Sequence, residues 1–523
     1  MKFRVVGPPS KQGTTPWLRC VLFGLVLVAG PVAAEVQSAQ QADDQAAAAS
    51  TNGEDTASNP AAPAPTRAPQ TRSEIQRALD LVKREQEELV ARIGDAEPTE
   101  KQRANLQAMA TLIRTLEEKL QTVQEAEKQK AATAGDSFKG RWIRLLSALQ
   151  DATRYDVKDG MFRFSLGVRL QVDATLAHED AQLETDVGKI PSSFKFRRGR
   201  VFAEGRLFRT LDFKFEYDFA ADQGIKDAYL EGAKFTKHFK WRFGHFKEPF
   251  SLARQTSAFQ LGFIEWALPV PTFSPGRNLG VMLRHSEVND RLFWALSATT
   301  AGKTTDDNRT DSNISFTGRL TGLPTMRDEG RRLVHLGISA TVRDPSGNTT
   351  QLSTRPEARF VPFFADTGSI VANDSTTTAL EFAAVLGPTW VQAEWFRNAT
   401  ESTQDGDLEF GGGYVEAGWF LTGEHRLYVP EEAAFGRLTP TQLFRGGNPF
   451  RKGSKGGALE FVGRASTTDL NDGLVQGGEL RNFSFGMNWY TSQINRVSLN
   501  YVHSYLRDIG RANIVLLRFQ YNP

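Results

Sequence analysis

The chain has 523 residues, with 63 Lys and Arg against 61 Asp and Glu, a formal net charge of +2 and one Cys. That length allows several soluble domains or one large barrel with an extension. The near balance of charge excludes the basic surface of a nucleic-acid binder, and a single Cys excludes a disulfide framework.

At the start, Lys2, Arg4, Lys11 and Arg19 precede the apolar run "VLFGLVLVAGPVAA", which ends on Val32-Ala33-Ala34 before Glu35. A basic region, a short apolar core and small residues before the cut predict a secretory signal peptide over 1–34. The run is too short, and too broken by Gly and Pro, for a membrane helix. Cys20 stands before the apolar run, so a lipoprotein signal does not fit, and the mature chain keeps no thiol. Four basic and no acidic residues leave with the leader, which makes the mature chain slightly acidic.

Residues 35–72, including "NPAAPAPTRAPQ", hold almost nothing to bury and predict a disordered linker. From 73 to 130 the spacing changes. Ile75, Leu79, Val82, Leu89 and Ile93, then Leu106, Met109, Ile113, Leu116, Leu120 and Val123, recur at intervals of three and four. Such a seam among Glu, Lys, Arg and Gln predicts a coiled coil, broken at "GDAEPTE". Each half is marginal as a lone helix, so the two pair as a hairpin or with other copies of the chain, self-association being preferred. Residues 131–160 form a connector.

Over 161–523 the period becomes two. In "MFRFSLGVRLQVDATL" Phe162, Phe164, Leu166, Val168, Leu170 and Val172 alternate with Arg163, Ser165, Arg169, Gln171 and Asp173. In "RNFSFGMNWYTSQINRVSLNYVHSY" Phe483, Phe485, Met487 and Trp489 alternate with Asn482, Ser484 and Asn488. Alternation of this kind marks an amphipathic strand. It predicts sixteen strands, near 161–176, 194–208, 211–220, 225–235, 238–246, 278–286, 291–301, 313–321, 332–343, 376–386, 389–399, 410–422, 457–468, 479–490, 495–506 and 511–521. Every second link is short, as in "RTLD", "TKH", "GPT" and "TSQIN". Those between are longer, at 177–193, 247–277, 302–312, 344–375, 400–409 and 469–478.

A soluble sandwich would also alternate. Strands near ten residues, charges kept on one face, recurrent Trp and Tyr, and links long at one end favour a lipid-facing barrel. The fold expected is therefore all-β: a 16-stranded antiparallel transmembrane β-barrel with an N-terminal α-helical coiled-coil extension.

The stretch "GGALEFVGRASTTDLNDGLVQGGELRNFSFGMNWYTSQINRVSLNYVHSY" resembles the C-terminal signature of the phosphate-selective porin O and P family. "IKDAYLEG", "FGHFKEPFSLARQTS", "FIEWALP", "PGRNLG", "LTGEHRLYVP" and "FGRLTP" resemble further segments of it, in order, over 160–523. The resemblance implies a homotrimeric outer-membrane porin whose third loop, here 247–277, folds inward to narrow the pore. It departs from the family at 255–276, which holds no basic residue and one acid, Glu265. The chain ends on Asn522-Pro523, where barrels of this kind usually finish on an aromatic; Phe519 and Tyr521 stand nearby.

Cations come instead from the strands. Arg198, Arg200 and Arg206 share one parity, with Glu204 among them, opposite Val201, Ala203 and Leu207. With Arg163, Arg169, Lys240 and Arg242 they predict an arginine ladder along the lumen, and Lys247, Arg254 and Arg277 flank the third loop. Such a ladder holds anions weakly at several sites, which permits flux. The opposed reading is a wall in which Asp212, Glu216 and Asp218 neutralise it across strands. Residues 437–455 carry Arg437, Arg445, Arg451, Lys452 and Lys455 and no acid, and read as an addition to the anion field or as a solvated loop.

"DDNRTDSN" and "DLND" lack a full set of calcium ligands. His285-Ser286 and His503-Ser504 are adjacent on strands, so they point to opposite faces and make no dyad. No cofactor, metal or enzymatic activity is expected. The expected function is passive diffusion of small anionic solutes, phosphate and polyphosphate among them, across outer-membrane lipid. The alternative is a plugged barrel that anchors the envelope through cell-wall contact of the coiled coil.

Overall fold

The computed structural model of the protein describes residues 72–93, 99–133, 154–157, 161–220, 224–233, 239–287, 291–300, 314–344, 349–451 and 454–523. The expected signal peptide, nearly all of the linker and most of the connector lie outside them.

Helices α1 (Arg72–Ile93) and α2 (Glu100–Thr133) form a unit of their own within 40–152. Thr99 and Gln102 cap α2 reciprocally: the Thr99 amide donates to Gln102 Oε1 at 2.9 Å and the Gln102 amide to Thr99 Oγ1 at 3.4 Å. Ile75 and Leu79 pack with Leu116, Leu120 and Val123, and Lys83 reaches Glu117 at 2.7 Å. Within one chain, then, the seam closes as a hairpin.

The second unit contains the barrel. Its strands are β1 (Phe162–Glu179), β2 (Ser193–Leu207), β3 (Leu211–Asp218), β4 (Ile225–Ala233), β5 (Lys240–Lys247), β6 (Arg277–Glu287), β7 (Leu292–Thr300) and β8 (Ile314–Arg327). They continue as β9 (Arg332–Arg343), β10 (Ile370–Leu386), β11 (Thr389–Ser402), β12 (Gly406–Phe420), β13 (Ala458–Asp472), β14 (Val475–Tyr490), β15 (Asn495–Leu506) and β16 (Gly510–Tyr521). Each pairs antiparallel with the next. β16 closes the sheet on β1, from Leu170↔Tyr521 to Glu179↔Ala512. A closed sheet leaves no edge unpaired, the condition for strands in lipid.

Burial runs opposite to that of a soluble protein. Phe485 is 65% exposed and Phe483 56%, while their neighbours Ser484 and Asn482 are buried. Val515 and Phe519 face out on β16, and Arg518 faces in, fully buried. A contiguous apolar outer surface is what lipid requires and water penalises.

Two links expected to be long are tight turns. Between β11 and β12 only 403–405 leave the ladder, and between β13 and β14 only 473–474. β8 and β10 are also longer than expected, reaching Arg327 and beginning at Ile370. Alternation of apolar with polar residues marks only the part of a strand that meets lipid. Beyond it the hydrogen-bond ladder continues with polar residues on both faces.

The interior is occupied by three segments of chain. Residues 248–276, between β5 and β6, contribute Phe250, Leu268, Val270 and Phe273 to a core with Phe396, Phe410 and Tyr414 of the wall. The link between β9 and β10 adds Leu352, Val361 and Phe364 to the same core. The third segment follows β12, at the end of the barrel that otherwise has tight turns. It packs Tyr428, Phe435 and Leu438 against Trp390 and Val462.

Candidate functional site

The inward loop 248–276 is held by the wall. At its root, Glu394 of β11 accepts the amides of Leu252 at 2.7 Å and Ala253 at 3.0 Å, and the Tyr414 hydroxyl at 2.6 Å. Glu248 is fully buried and accepts from Arg343 at 2.6 Å. Further along, the loop presents carbonyl oxygens to arginines and amides of the closing strands. Arg496 donates to Leu261 at 2.7 Å, Asn488 to Gly262 at 2.6 Å, Arg464 to Glu265 at 3.0 Å and Gln520 to Phe259 at 3.0 Å. The amides and carbonyls of an irregular loop buried against the wall need such partners.

Glu265, the single acid of 255–276, is where the strands' cations converge. Arg197 meets it at 2.6 Å, Arg518 at 2.8 Å and Arg198 at 4.0 Å. Burial alone would raise its pKa, but Arg197, Arg198 and Arg518 outweigh burial and hold the carboxyl well below the usual range. The absence of basic residues in 255–276 is therefore met from the wall.

Arg197 was missed by alternation. β1 and β2 slip register between Gln171↔Arg198 and Val172↔Phe196, so a bulge brings Arg197 and Arg198 to Glu265 together. Arg284, Arg319, Arg464, Arg496 and Arg518 were missed differently. They sit on the polar parity of later strands, where the same alternation would have found them.

The side chains of the predicted ladder are each paired. Arg163 stands opposite Arg206, Arg169 opposite Arg200, and Gln171 opposite Arg198. Arg169 contacts Glu216; Arg200 bonds Glu216 and Asp218, each at 2.8 Å; Arg206 bonds Asp212 at 2.6 Å. Arg198, fully buried, donates to Gln171. Arg242 and Arg284 share Glu231, at 2.6 and 2.5 Å, and Lys240 lies 3.8 Å from Glu431. Arg277 and Lys214 share Asp227, at 2.8 and 3.6 Å. Lys247 donates to the Gln255 carbonyl at 3.2 Å, and Arg254 to that of Pro275 at 3.1 Å. Arg254 thus belongs to the loop's own buried frame.

Two aromatic residues of the loop face this line. Phe259 lies 6.0 Å from the Arg169 guanidinium and 5.6 Å from that of Arg200. Trp266 lies 5.5 Å from Arg198 and 5.0 Å from Arg254. The ring faces attract the cations without neutralising them. Elsewhere, "DLND" serves its own turn, with Asp469 accepting the Asn471 amide at 3.0 Å and Asp472 that of Glu409 at 2.6 Å. "DDNRTDSN" lies outside the described residues. Among the described residues no group of three or more His, Cys, Asp or Glu forms a metal site.

Residues 164–522 match the family described as phosphate-selective porin O and P. The chain belongs to that family. It is an outer-membrane porin, as the closed barrel and its apolar outer face require. Porin O of Pseudomonas aeruginosa is 23% identical over 391 residues, which cover 66% of this chain and 83% of that one. An uncharacterized protein of Caulobacter vibrioides is 29% identical over 255 residues, 46% of this chain and 48% of that one. Among solved structures, an anion-selective porin from Comamonas acidovorans aligns over 68% of this chain and 99% of its own, with 11% identity and a TM-score of 0.41. OmpT of Vibrio cholerae aligns over 70% of this chain and 99% of its own, with 11% identity and a TM-score of 0.43.

Proposed function

We propose that this porin passes small anions by passive diffusion, along the face where Phe259 and Trp266 oppose the arginine line of β1 and β2. The observation that carries the reading is the convergence of Arg197, Arg198 and Arg518 on Glu265. Glu231 serves Arg242 and Arg284, Asp227 serves Arg277 and Lys214, and Glu265 serves Arg197, Arg198 and Arg518. The last keeps positive charge in excess, with Arg197, Arg198 and Arg518 against Glu265 and Asp173, in a confined space where it acts strongly, while Glu432 beside Arg284 and Glu204 beside Lys214 balance the other two.

The selectivity proposed is a preference rather than an absolute filter, because Asp212, Asp218 and Glu216 remain beside Arg206, Arg200 and Arg169. Multiple weak sites let an anion leave as readily as it arrives. The proposed pore-lining and anion-attracting set is Arg163, Arg169, Arg198, Arg200, Arg206, Lys240, Arg242, Lys247, Arg254 and Arg277, with phosphate among the permeant anions and a homotrimer as the assembly. Liposome swelling with an anionic and a cationic solute of matched size tests the reading. Faster swelling in the anionic solute supports it, and equal or reversed rates overturn it.

A further inference from the structure

The segment between β12 and β13 is divided between two environments. Its first part enters the barrel through Tyr428 and Phe435. Its second part, 443–451 and 454–456, lies against the outer face. Trp489 of β14 follows Phe483 and Phe485 on the lipid-facing parity, and its Nε1 donates to the Gly456 carbonyl at 2.8 Å. Phe444 meets the Trp489 ring edge-on, with centroids 5.0 Å apart. Leu459 shares the outward parity of Phe461, yet it is buried while Phe461 is exposed.

The segment is built tightly. The amides of Arg445 and Gly447 both donate to the Lys455 carbonyl, at 2.8 and 3.1 Å. A Cβ at Gly447 would stand 2.7 Å from the Lys455 backbone, and one at Gly456 would stand 2.6 Å from that of Asn448. This closed loop displays Leu443, Phe444 and Phe450, which are 44%, 38% and 60% exposed. Arg445, Arg451 and Lys455 are exposed beside them, and no carboxylate among the described residues pairs with any of the three.

We infer that Leu443, Phe444, Arg445, Phe450, Arg451 and Lys455 form a membrane-interface anchor that seats its apolar side chains among acyl chains and its cations on anionic phospholipid head groups. The loop lies at the end with tight turns, which in barrels of this kind faces the periplasm, so the leaflet engaged is the periplasmic one. Exposed Leu and Phe rimmed by Arg and Lys, at the margin of a lipid-facing surface, fit the boundary between acyl chains and phosphates. The Arg guanidinium binds phosphate oxygens in pairs, and each added cation strengthens attraction to an anionic surface. The surface is separate from the lumen and leaves the diffusion reading unchanged.

The test uses the full chain with Cys20→Ser and Phe450→Cys, labelled with an environment-sensitive fluorophore. It is reconstituted in vesicles of phosphatidylcholine and phosphatidylglycerol containing lipid spin-labelled at the head group. The label is expected to be quenched by the spin-labelled lipid, more strongly as phosphatidylglycerol increases. Replacing Arg445, Arg451 and Lys455 together by Gln is expected to lower the quenching toward that of a label at Glu329, in the turn between β8 and β9. Unchanged heat-dependent migration of the barrel shows that the variant is folded. Quenching equal to that at Glu329 before any charge is removed, with the label open to aqueous iodide, overturns the inference. Shielding from both quenchers with crosslinking to a second copy also overturns it, in favour of a subunit contact.

Discussion

Arg518 and Asp173 face each other across the seam where the last strand meets the first, with Arg518 Nε and Nη2 donating to the two Asp173 carboxylate oxygens, each at 2.7 Å. The same guanidinium extends to Glu265 at 2.8 Å and to the Ile264 carbonyl. One side chain therefore joins barrel closure to the position of the inward loop.

Arg518→Met leaves Asp173 and Glu265 buried with fewer cations. Loss of one partner from a buried pair costs roughly 3–5 kcal/mol. The folded barrel should lose heat resistance on gels and unfold at lower urea, by an amount on that scale.

Glu265→Gln removes the one acid of 255–276 while keeping its shape. Arg197 and Arg198 then lose the carboxylate that partly neutralises them. Anion preference should rise by roughly threefold to tenfold, about 1 kcal/mol of electrostatic barrier. The zero-current potential of the variant measures it, and a fall in preference would show that Glu265 does not offset the pore's cations.

The pH response of the loop follows from the same carboxyl. Its pKa in the folded protein lies well below the usual range, despite burial, because of Arg197, Arg198 and Arg518. A depressed folded pKa contributes stability that is full above the unfolded value of about 4.3 and is lost as pH falls through the folded value. Single-channel conductance should therefore stay steady from neutral pH down to the unfolded value of about 4.3, and the loop should loosen only in stronger acid. Open-channel noise recorded against pH is the check.

Glu394→Ala takes the acceptor from two buried amides at the root of the loop. Each buried group left without a partner costs about 1–3 kcal/mol. The loop root, rather than the barrel, should respond. Protease cleavage within 250–260 should increase while heat-dependent migration of the barrel changes little.

Most of the barrel was legible in the sequence because lipid imposes a strict period of two. Phe483, Phe485 and Trp489 could face only one way once Asn482, Ser484 and Asn488 faced the other. The strand ends were not legible for the reason seen at 400–409 and 469–478: the pattern fades where lipid ends, although the ladder continues. The third loop's inward course came from resemblance, and its cationic surroundings came only from the structure. Arg464, Arg496 and Arg518 lie some two hundred residues or more from the carbonyls they bind, a separation that no local pattern encodes. Arg197 was hidden by a bulge, since alternation counted strictly from Val201 turns it to the wrong face.

Arg169→Gln with Arg200→Gln tests the ladder where it faces Phe259. The pair should lower anion preference, whereas Arg206→Gln, more exposed and matched singly to Asp212, should lower it less. Equal effects would mean that charge anywhere in the lumen suffices.

The most direct measurement is the zero-current potential of the purified porin in a planar bilayer across a KCl gradient, followed by addition of phosphate to one side. The account predicts a potential of the sign set by chloride, with chloride current reduced as phosphate competes for the shared cations. A large current with a potential near zero, or of the sign set by potassium, would contradict it and leave the arginines as a neutral wall.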